Sequence, residues 1–147
     1  MIAVDTNILV YAHRRDSEWN TAAFDCVSRL AEGSVAWGIP WPCVHEFYSI
    51  VTHPRIYSPP TRVEAALDQI DAWLESPRLV LLAEHDAHWP VLRGLLGAGR
   101  IAGPMVHDAR IAALCATHGV HELWTADRDF SRFADLRTTN PLTAARP

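Results

Sequence analysis

Acidic side chains occur at four places where the character of the sequence changes. Two of these places end short apolar runs, and two fall in the first turns of amphipathic segments. The acids are Asp5, Glu46, Asp108 and Asp127, with Asp129 just beyond the last of them. Carboxylates about 4 Å apart repel by about 4 kcal/mol at an effective dielectric constant of about 20, so a shared pocket needs protons or a cation. Carboxylate oxygens suit Mg²⁺ or Mn²⁺, and such an ion activates water against a phosphodiester.

Apolar runs that alternate with amphipathic stretches indicate how these acids are positioned. Strands are predicted over residues 1–4, 35–39, 79–82 and 120–125, with a last edge strand over 136–139. Helices are predicted after Asp5, over 17–31, from 42 to 51, from 61 to 75, over 87–96 and from 104 to 118. This alternation predicts an α/β fold with a central parallel sheet and helices on both faces. No boundary interrupts the 147 residues, so a single domain over 1–147 is expected.

The predicted fold explains how acids far apart in sequence would meet. Strand carboxyl ends and the amino ends of the helices that follow share one edge of a parallel sheet, where ligands bind. Each acid alone has a plainer explanation. Asp5 and Asp127 suit caps or turns, and Glu46 and Asp108 suit the positive end of a helix dipole. Four acids on one edge are less easily explained by capping, so we expect a common site.

Further expectations concern the packing and ends of the helices. Thr61 and Glu64 have the spacing of a capping box. The apolar stripe predicted for the helix they open is Leu67, Ile70 and Leu74. Phe24 is expected on the apolar face of the preceding amphipathic helix. The segment from Gly97 to Gly103 is expected to be a flexible connection.

Composition narrows the class of protein. The formal net charge is -4 and all 13 basic residues are arginine, which argues mildly against nonspecific nucleic-acid binding but allows a local basic rim. Seven arginines lie near the predicted site: Arg14, Arg15, Arg55, Arg100, Arg110, Arg128 and Arg132. Three widely spaced cysteines do not suggest a disulfide framework. The sequence has neither a signal-peptide pattern nor an apolar run of membrane length, so the cytosol and no membrane association are expected.

The ordered set of motifs resembles the PIN-domain ribonucleases, most closely the VapC-type toxins of bacterial toxin–antitoxin modules. The motifs are Val4-Asp5-Thr6-Asn7, Glu46-Phe47, His107-Asp108-Ala109 and Thr125-Ala126-Asp127-x-Asp129-Phe130. This resemblance implies an endoribonuclease dependent on Mg²⁺ or Mn²⁺, usually a homodimer, which cleaves RNA and is inhibited by a cognate antitoxin. One departure is Pro42, where many relatives begin the helix with a serine or threonine cap.

The resemblance also assigns roles to residues. Asp5, Glu46, Asp108 and Asp127 correspond to the family's acidic quartet, and Asp129 to a less uniform further acid. Asn7 and Thr125 correspond to residues that hold the quartet by hydrogen bonds. The implied metal ligands are Asp5, Asp108 and Asp127, and Glu46 is expected to position or deprotonate the attacking water.

Other functions remain open from the sequence. Cys115-x-x-His118-x-x-His121 has residue types that bind zinc. A phosphoryl-accepting receiver domain would require a lysine that the chain lacks, and an aspartate-dependent phosphatase would require Asp where Asn7 stands. A housekeeping RNA-processing nuclease and a non-catalytic interaction module of the same fold are the remaining alternatives.

Overall fold

The computed structural model describes residues 1–143 and has at its centre a five-stranded, wholly parallel sheet. The strands are β1 (Ile2–Val4), β2 (Trp37–Pro40), β3 (Leu79–Leu82), β4 (Glu122–Trp124) and β5 (Thr138–Thr139). Their spatial order is β3-β2-β1-β4-β5. The α/β class and parallel sheet predicted from the sequence are confirmed. Residues 144–147 of the predicted domain lie outside the described residues.

Six α-helices connect the strands within the described residues. They are α1 (Thr6–His13), α2 (Asn20–Glu32), α3 (Trp41–Val51), α4 (Val63–Leu74), α5 (His88–Ala98) and α6 (Val106–Thr117). Two 3₁₀ turns cover Gly103–Met105 and Arg128–Arg132. Parallel crossovers are right-handed, so the reversal of direction between β3 and β4 places α5 and α6 on the face opposite α1 to α4. No helix described here is long and apolar enough to cross a membrane.

The strand order creates a switch point between β1 and β4. The chain moves outward from β1 to β2 and β3, and then returns to the other side of β1 to form β4. Such a reversal opens a crevice beyond the carboxyl ends of the two strands. Ala3 of β1 is in register with Gly38 on one side and Leu123 on the other. The residues that follow β1 and β4 therefore flank the crevice.

Buried side chains from the sheet and from both helical layers form the core. The largest fully buried ones are Trp37, Phe47, Phe130, Ile8, Leu9, Ile39, Leu82, Leu114 and Leu123. Gly38 allows close packing of β2 against β3, because a Cβ atom there would lie 3.1 Å from a methyl carbon of Leu82. The central strands thus have little freedom to move, and the residues at their ends are held in place.

Two local predictions about helix ends were wrong. Thr61 does not cap α4: the cap residue is Arg62, which makes no side-chain capping bond, and the Thr61 hydroxyl instead bonds His13 and Arg14 at the end of α1. Gly97 lies inside α5, so the connection predicted there begins later.

The apolar face of α4 is also rotated from the predicted stripe. Leu67 and Leu74 are 48% and 44% exposed, and the buried residues are Ala66 and Trp73, whose ring contacts Phe47 at a centroid distance of 4.7 Å. The indole determines which face of α4 turns inward. Similarly, Phe24 of α2 is 57% exposed, so the prediction that it packs in the core was wrong.

Candidate active site

A cavity of about 250 Å³ opens at the switch point, and all four acids of the predicted quartet line it. Asp5 and Asp127 follow β1 and β4, whereas Asp108 lies in the first turn of α6 and Glu46 in α3. Asp5, Asp108 and Asp127 therefore converge as the topology requires, whereas Glu46 lies in the second turn of α3 and not in the first turn predicted for it. The structure brings the four carboxylates into one pocket.

Asp5 is the most buried of these acids, with 4% of its surface exposed. It caps α1, its Oδ1 accepting a hydrogen bond from the Thr6 backbone N–H at 2.8 Å. Its Oδ2 accepts bonds from Asn7 Nδ2 and Thr125 Oγ1, both at 2.7 Å, and the Cys43 thiol approaches Oδ1 at 3.6 Å. Burial raises the pKa of Asp5, and the charge of Glu46 adds to that rise. The bonds from Thr125, Thr6 and Cys43 oppose it.

Asn7 and Thr125 join the ends of β1 and β4. Asn7 Nδ2 donates to Thr125 Oγ1 at 3.2 Å, and Asn7 Oδ1 accepts from the Ala126 N–H at 2.9 Å. Thr125 Oγ1 also accepts from the Asp127 N–H at 3.0 Å, which fixes the backbone that carries that carboxylate. These contacts correspond to the supporting positions predicted for the two residues, whose part in any reaction stays a prediction.

Thr6 is a site residue that the sequence reasoning missed. Its hydroxyl donates a hydrogen bond of 2.7 Å to Oε2 of Glu46 and so restrains an otherwise exposed side chain on another helix. The only signal for this in the sequence was the position of Thr6 beside Asp5. A hydroxyl one residue into α1 can point to the neighbouring helix while its own N–H binds the capping carboxylate.

Three aspartates form a group suited to a cation. One carboxylate oxygen from each of Asp108, Asp127 and Asp129 lies within 4.8 Å of the others. Burial raises the pKa of Asp108, and the nearby charges of Asp127, Asp129 and Glu46 raise it further, whereas Arg132 opposes the rise. An all-carboxylate donor set with this mutual repulsion fits a hard divalent ion.

The ligand set implied by the resemblance differs from this group in one member. It included Asp5 in place of Asp129, and the oxygens of Asp5 already accept bonds from protein donors. Asp5 still lines the same cavity. The metal-binding role of each residue stays a prediction.

Apolar and aromatic side chains also line the cavity. They are Val10, Tyr11, Ile50, Ile111 and Phe130. The sequence reasoning did not assign these residues to the site. Val10 and Tyr11 follow Asn7 by three and four residues, however, so a helix places them on the same face as Asn7. Apolar side chains beside carboxylates lower the local dielectric constant and strengthen their interaction with a cation.

The alternative zinc site does not form in the described residues. Cys115 is buried within α6 and burial raises its pKa to about 12. His118 Nδ1 lies 2.9 Å from the Leu114 carbonyl oxygen, and His121 Nδ1 lies 2.6 Å from the Met1 amino group. Among residues 1–143, the only group of three or more metal-binding side chains close enough to share an ion is the three aspartates, so the residues of this alternative do not come together.

Residues 2–136 match the family model of the PIN domain. Ribonuclease VapC43 of Mycobacterium tuberculosis is 34% identical over 142 residues, covering 97% of this chain and 96% of the relative. Ribonuclease VapC48 of the same organism is 30% identical over 139 residues, covering 95% and 96%.

Solved structures share the fold at lower identity. VapBC2 from Rickettsia felis, bound to a DNA fragment from its promoter, aligns with a TM-score of 0.64 at 20% identity, covering 95% of this chain and 98% of the other. Mycobacterium tuberculosis VapC20, described as a toxin that cleaves the sarcin–ricin loop, aligns with a TM-score of 0.62 at 15% identity, covering 89% and 93%.

Proposed function

The chain belongs to the PIN-domain family and, within it, to the VapC ribonucleases, and from this premise we propose that it is a metal-dependent endoribonuclease, the toxin of a toxin–antitoxin pair. The observation that carries the proposal is the gathering of Asp5, Glu46, Asp108 and Asp127 around one cavity. The relatives' names supply the substrate class, and the cavity supplies the means of hydrolysing a phosphodiester.

Mg²⁺ or Mn²⁺ is the cofactor that this carboxylate set fits. Asp108, Asp127 and Asp129 offer oxygens close enough to share an ion, and Asp5 borders the same space. When bound, such an ion supplies Lewis-acid stabilisation of the phosphate and lowers the pKa of water. We propose that Asp108 and Asp127 bind it directly, and that Asp5 acts through its position at the base of the cavity.

The remaining polar residues either transfer a proton or keep the carboxylates in position. Thr6 occupies Oε2 of Glu46, which leaves Oε1 to orient a water molecule and accept its proton. Asn7 and Thr125 keep Asp5 and the Asp127 backbone at a fixed separation. The apolar side chains of the cavity limit the water that reaches the reacting phosphate.

Purified protein and labelled single-stranded RNA provide the direct test. Wild type is expected to cleave with Mg²⁺, to stop in EDTA and to resume when Mg²⁺ is restored. Asp108→Asn is expected to be inactive yet folded, and Asp68→Asn, an exposed substitution of the same kind on α4, to retain activity. Cleavage that persists in EDTA would refute metal dependence. A folded wild type inactive on every RNA tested would favour the non-catalytic alternative.

We also propose a protein partner, the cognate antitoxin, at the groove between α2 and α4. This groove of about 390 Å³ is lined by Phe24, which is 57% exposed, and it reaches Trp73. An apolar patch of this kind is typical of a protein interface. The similar structures include the VapBC assemblies of Rickettsia felis and nontypeable Haemophilus influenzae, which supports an antitoxin as the occupant.

Growth of an expressing strain distinguishes a toxin from a housekeeping nuclease. Induction of the wild type alone is expected to arrest growth, and co-expression of the small protein encoded next to it to relieve the arrest. Phe24→Glu is expected to prevent the relief without preventing the arrest, whereas Asp25→Glu, an exposed position on the same helix, should leave both unchanged. If induction has no effect on growth, the housekeeping RNA-processing function is favoured.

We also propose that the free chain forms a homodimer. Light scattering of the purified protein tests this by measuring its molar mass.

A further inference from the structure

Arg132 joins the two segments that carry the cation-binding aspartates. It ends the 3₁₀ turn that follows Asp127, and its Nε donates to the Asp129 carbonyl oxygen at 3.1 Å. Its Nη1 lies 2.9 Å from the Met105 sulfur, in the turn that leads into the helix of Asp108. The guanidinium is therefore held at the rim of the aspartate group by contacts with both sides of it.

The guanidinium of Arg132 has no acidic partner, unlike those of two other arginines near the site. Arg14 makes two bonds to Asp16, and Arg110 bonds Glu84 at 2.5 Å. Within residues 1–143, no carboxylate lies at ion-pair distance from Arg132, and its side chain is exposed. Its charge nevertheless acts on Asp108, where it partly opposes the rise in pKa that burial and the neighbouring acids cause.

The two contacts of Arg132 orient the group and leave hydrogen-bonding capacity free. A guanidinium has five N–H donors, and the structure uses one on a carbonyl and one on a thioether. A thioether sulfur is a weak acceptor, so little stabilisation is lost when that donor turns to a better one. Anionic oxygens of a phosphodiester are such an acceptor, and the fork geometry matches them.

We propose that Arg132 binds the non-bridging oxygens of the phosphodiester that is cleaved and stabilises the charge that develops on them. This rests on the proposed ribonuclease function and adds a substrate-binding residue to it. The backbone bond to Asp129 places the cation beside the aspartates, where a phosphate shared with the ion must lie. A positive side chain at this rim also reduces the repulsion between the carboxylates and RNA in a chain of net charge -4.

Single-turnover cleavage at saturating RNA separates this role from general attraction. Arg132→Ala is expected to lower the rate about a hundredfold, the loss typical of a donor to a transition state, and Arg132→Lys to recover part of it. Guanidinium ion added to Arg132→Ala should raise its rate. Arg128→Ala removes the same charge from the same turn and is expected to lose only binding, not the rate at saturation.

RNA binding without turnover provides a second readout. In an Asp108→Asn background, fluorescence anisotropy should show that adding Arg132→Ala weakens RNA binding severalfold. Arg132→Ala alone should leave thermal unfolding nearly unchanged and should not weaken Mn²⁺ binding, because the charge that it removes is positive. An active wild type with Arg132→Ala within threefold of its rate would overturn the proposal, as would an equal loss in Arg128→Ala. If wild type binds RNA through Arg132 yet never cleaves, the proposed function fails and the binding site remains.

Discussion

Replacement of Thr125 by valine removes one hydroxyl from the bonds that join the ends of β1 and β4. Thr125 is 3% exposed, and valine has nearly the same shape, so the substitution changes hydrogen bonding with little change in packing. The hydroxyl donates to the Asp5 carboxylate and accepts from Asn7 Nδ2 and from the Asp127 N–H. All three contacts are lost together.

The expected cost follows from the kinds of bond removed. A hydrogen bond to a charged group contributes roughly 1.5–3 kcal/mol, and donors left without a partner add about 1 kcal/mol. Thr125→Val should therefore lower the free energy of unfolding by about 2–4 kcal/mol. Thr125→Ser keeps the hydroxyl and loses one methyl group, which costs about 1 kcal/mol.

Urea unfolding in EDTA, followed by tryptophan fluorescence, measures both substitutions. The valine variant is expected to unfold at clearly lower urea than the serine variant. The difference should narrow in acid, because the Thr125 bond favours the charged form of Asp5 and that form disappears as the carboxyl is protonated. Equal midpoints for the two variants at neutral pH would refute the account of this network.

Three other predictions concern residues around the site. The pKa of Asp108 is raised in the fold, so this carboxyl group contributes its full stability below its ordinary pKa and loses it as pH rises through the raised value. Asp108→Asn should therefore raise the melting temperature at neutral pH in EDTA, and a lower melting temperature would contradict this. Cys115, with a pKa of about 12, should resist alkylation near pH 8 until the protein unfolds, whereas rapid labelling of the native thiol would show it to be accessible. Arg14→Ala removes hydrogen bonds to the Pro59 carbonyl oxygen and a guanidinium contact 4.0 Å from the centre of the Tyr57 ring. Backbone amide hydrogen exchange in residues 53–61 should therefore become faster, and an unchanged exchange rate would contradict this prediction.

The arrangement of the acids was predictable because it follows from topology. An apolar run that ends at Asp5 indicates a buried strand, and a parallel sheet places its end at the same edge as the end of the strand before Asp127, although the adjacency of the two strands came only from the structure. That reasoning needs only the period of the apolar residues and the handedness of crossovers. It does not need the side-chain contacts themselves.

The details that were missed depend on which neighbour a side chain meets. Thr61 has the spacing of a capping residue, but its hydroxyl bonds the end of α1, a contact 47 and 48 residues away in sequence. Leu67 lies in a helical pattern as apolar as that of Trp73, and only the packing of the indole against Phe47 decides between the two faces. The bond from Thr6 to Glu46 likewise depends on how α1 and α3 pack.

Arg132 illustrates the same limit for the candidate site. The sequence presented seven arginines near the predicted site and gave no reason to prefer one. The preference came from the contacts with the Asp129 carbonyl, in the same 3₁₀ turn, and with Met105, in the other 3₁₀ turn. Loop geometry of this kind has no periodic pattern from which to predict it.

Mn²⁺ binding and RNA cleavage, measured on the same samples, test most directly whether the clustered acids form an ion-dependent catalytic site. Electron paramagnetic resonance counts free Mn²⁺ while product formation is followed, for wild type, Asp127→Asn and the control Asp68→Asn. We predict that Asp127→Asn loses both Mn²⁺ binding and cleavage, and that the control keeps both. Full cleavage by Asp127→Asn, or cleavage by wild type with no Mn²⁺ or Mg²⁺ bound, would contradict the account.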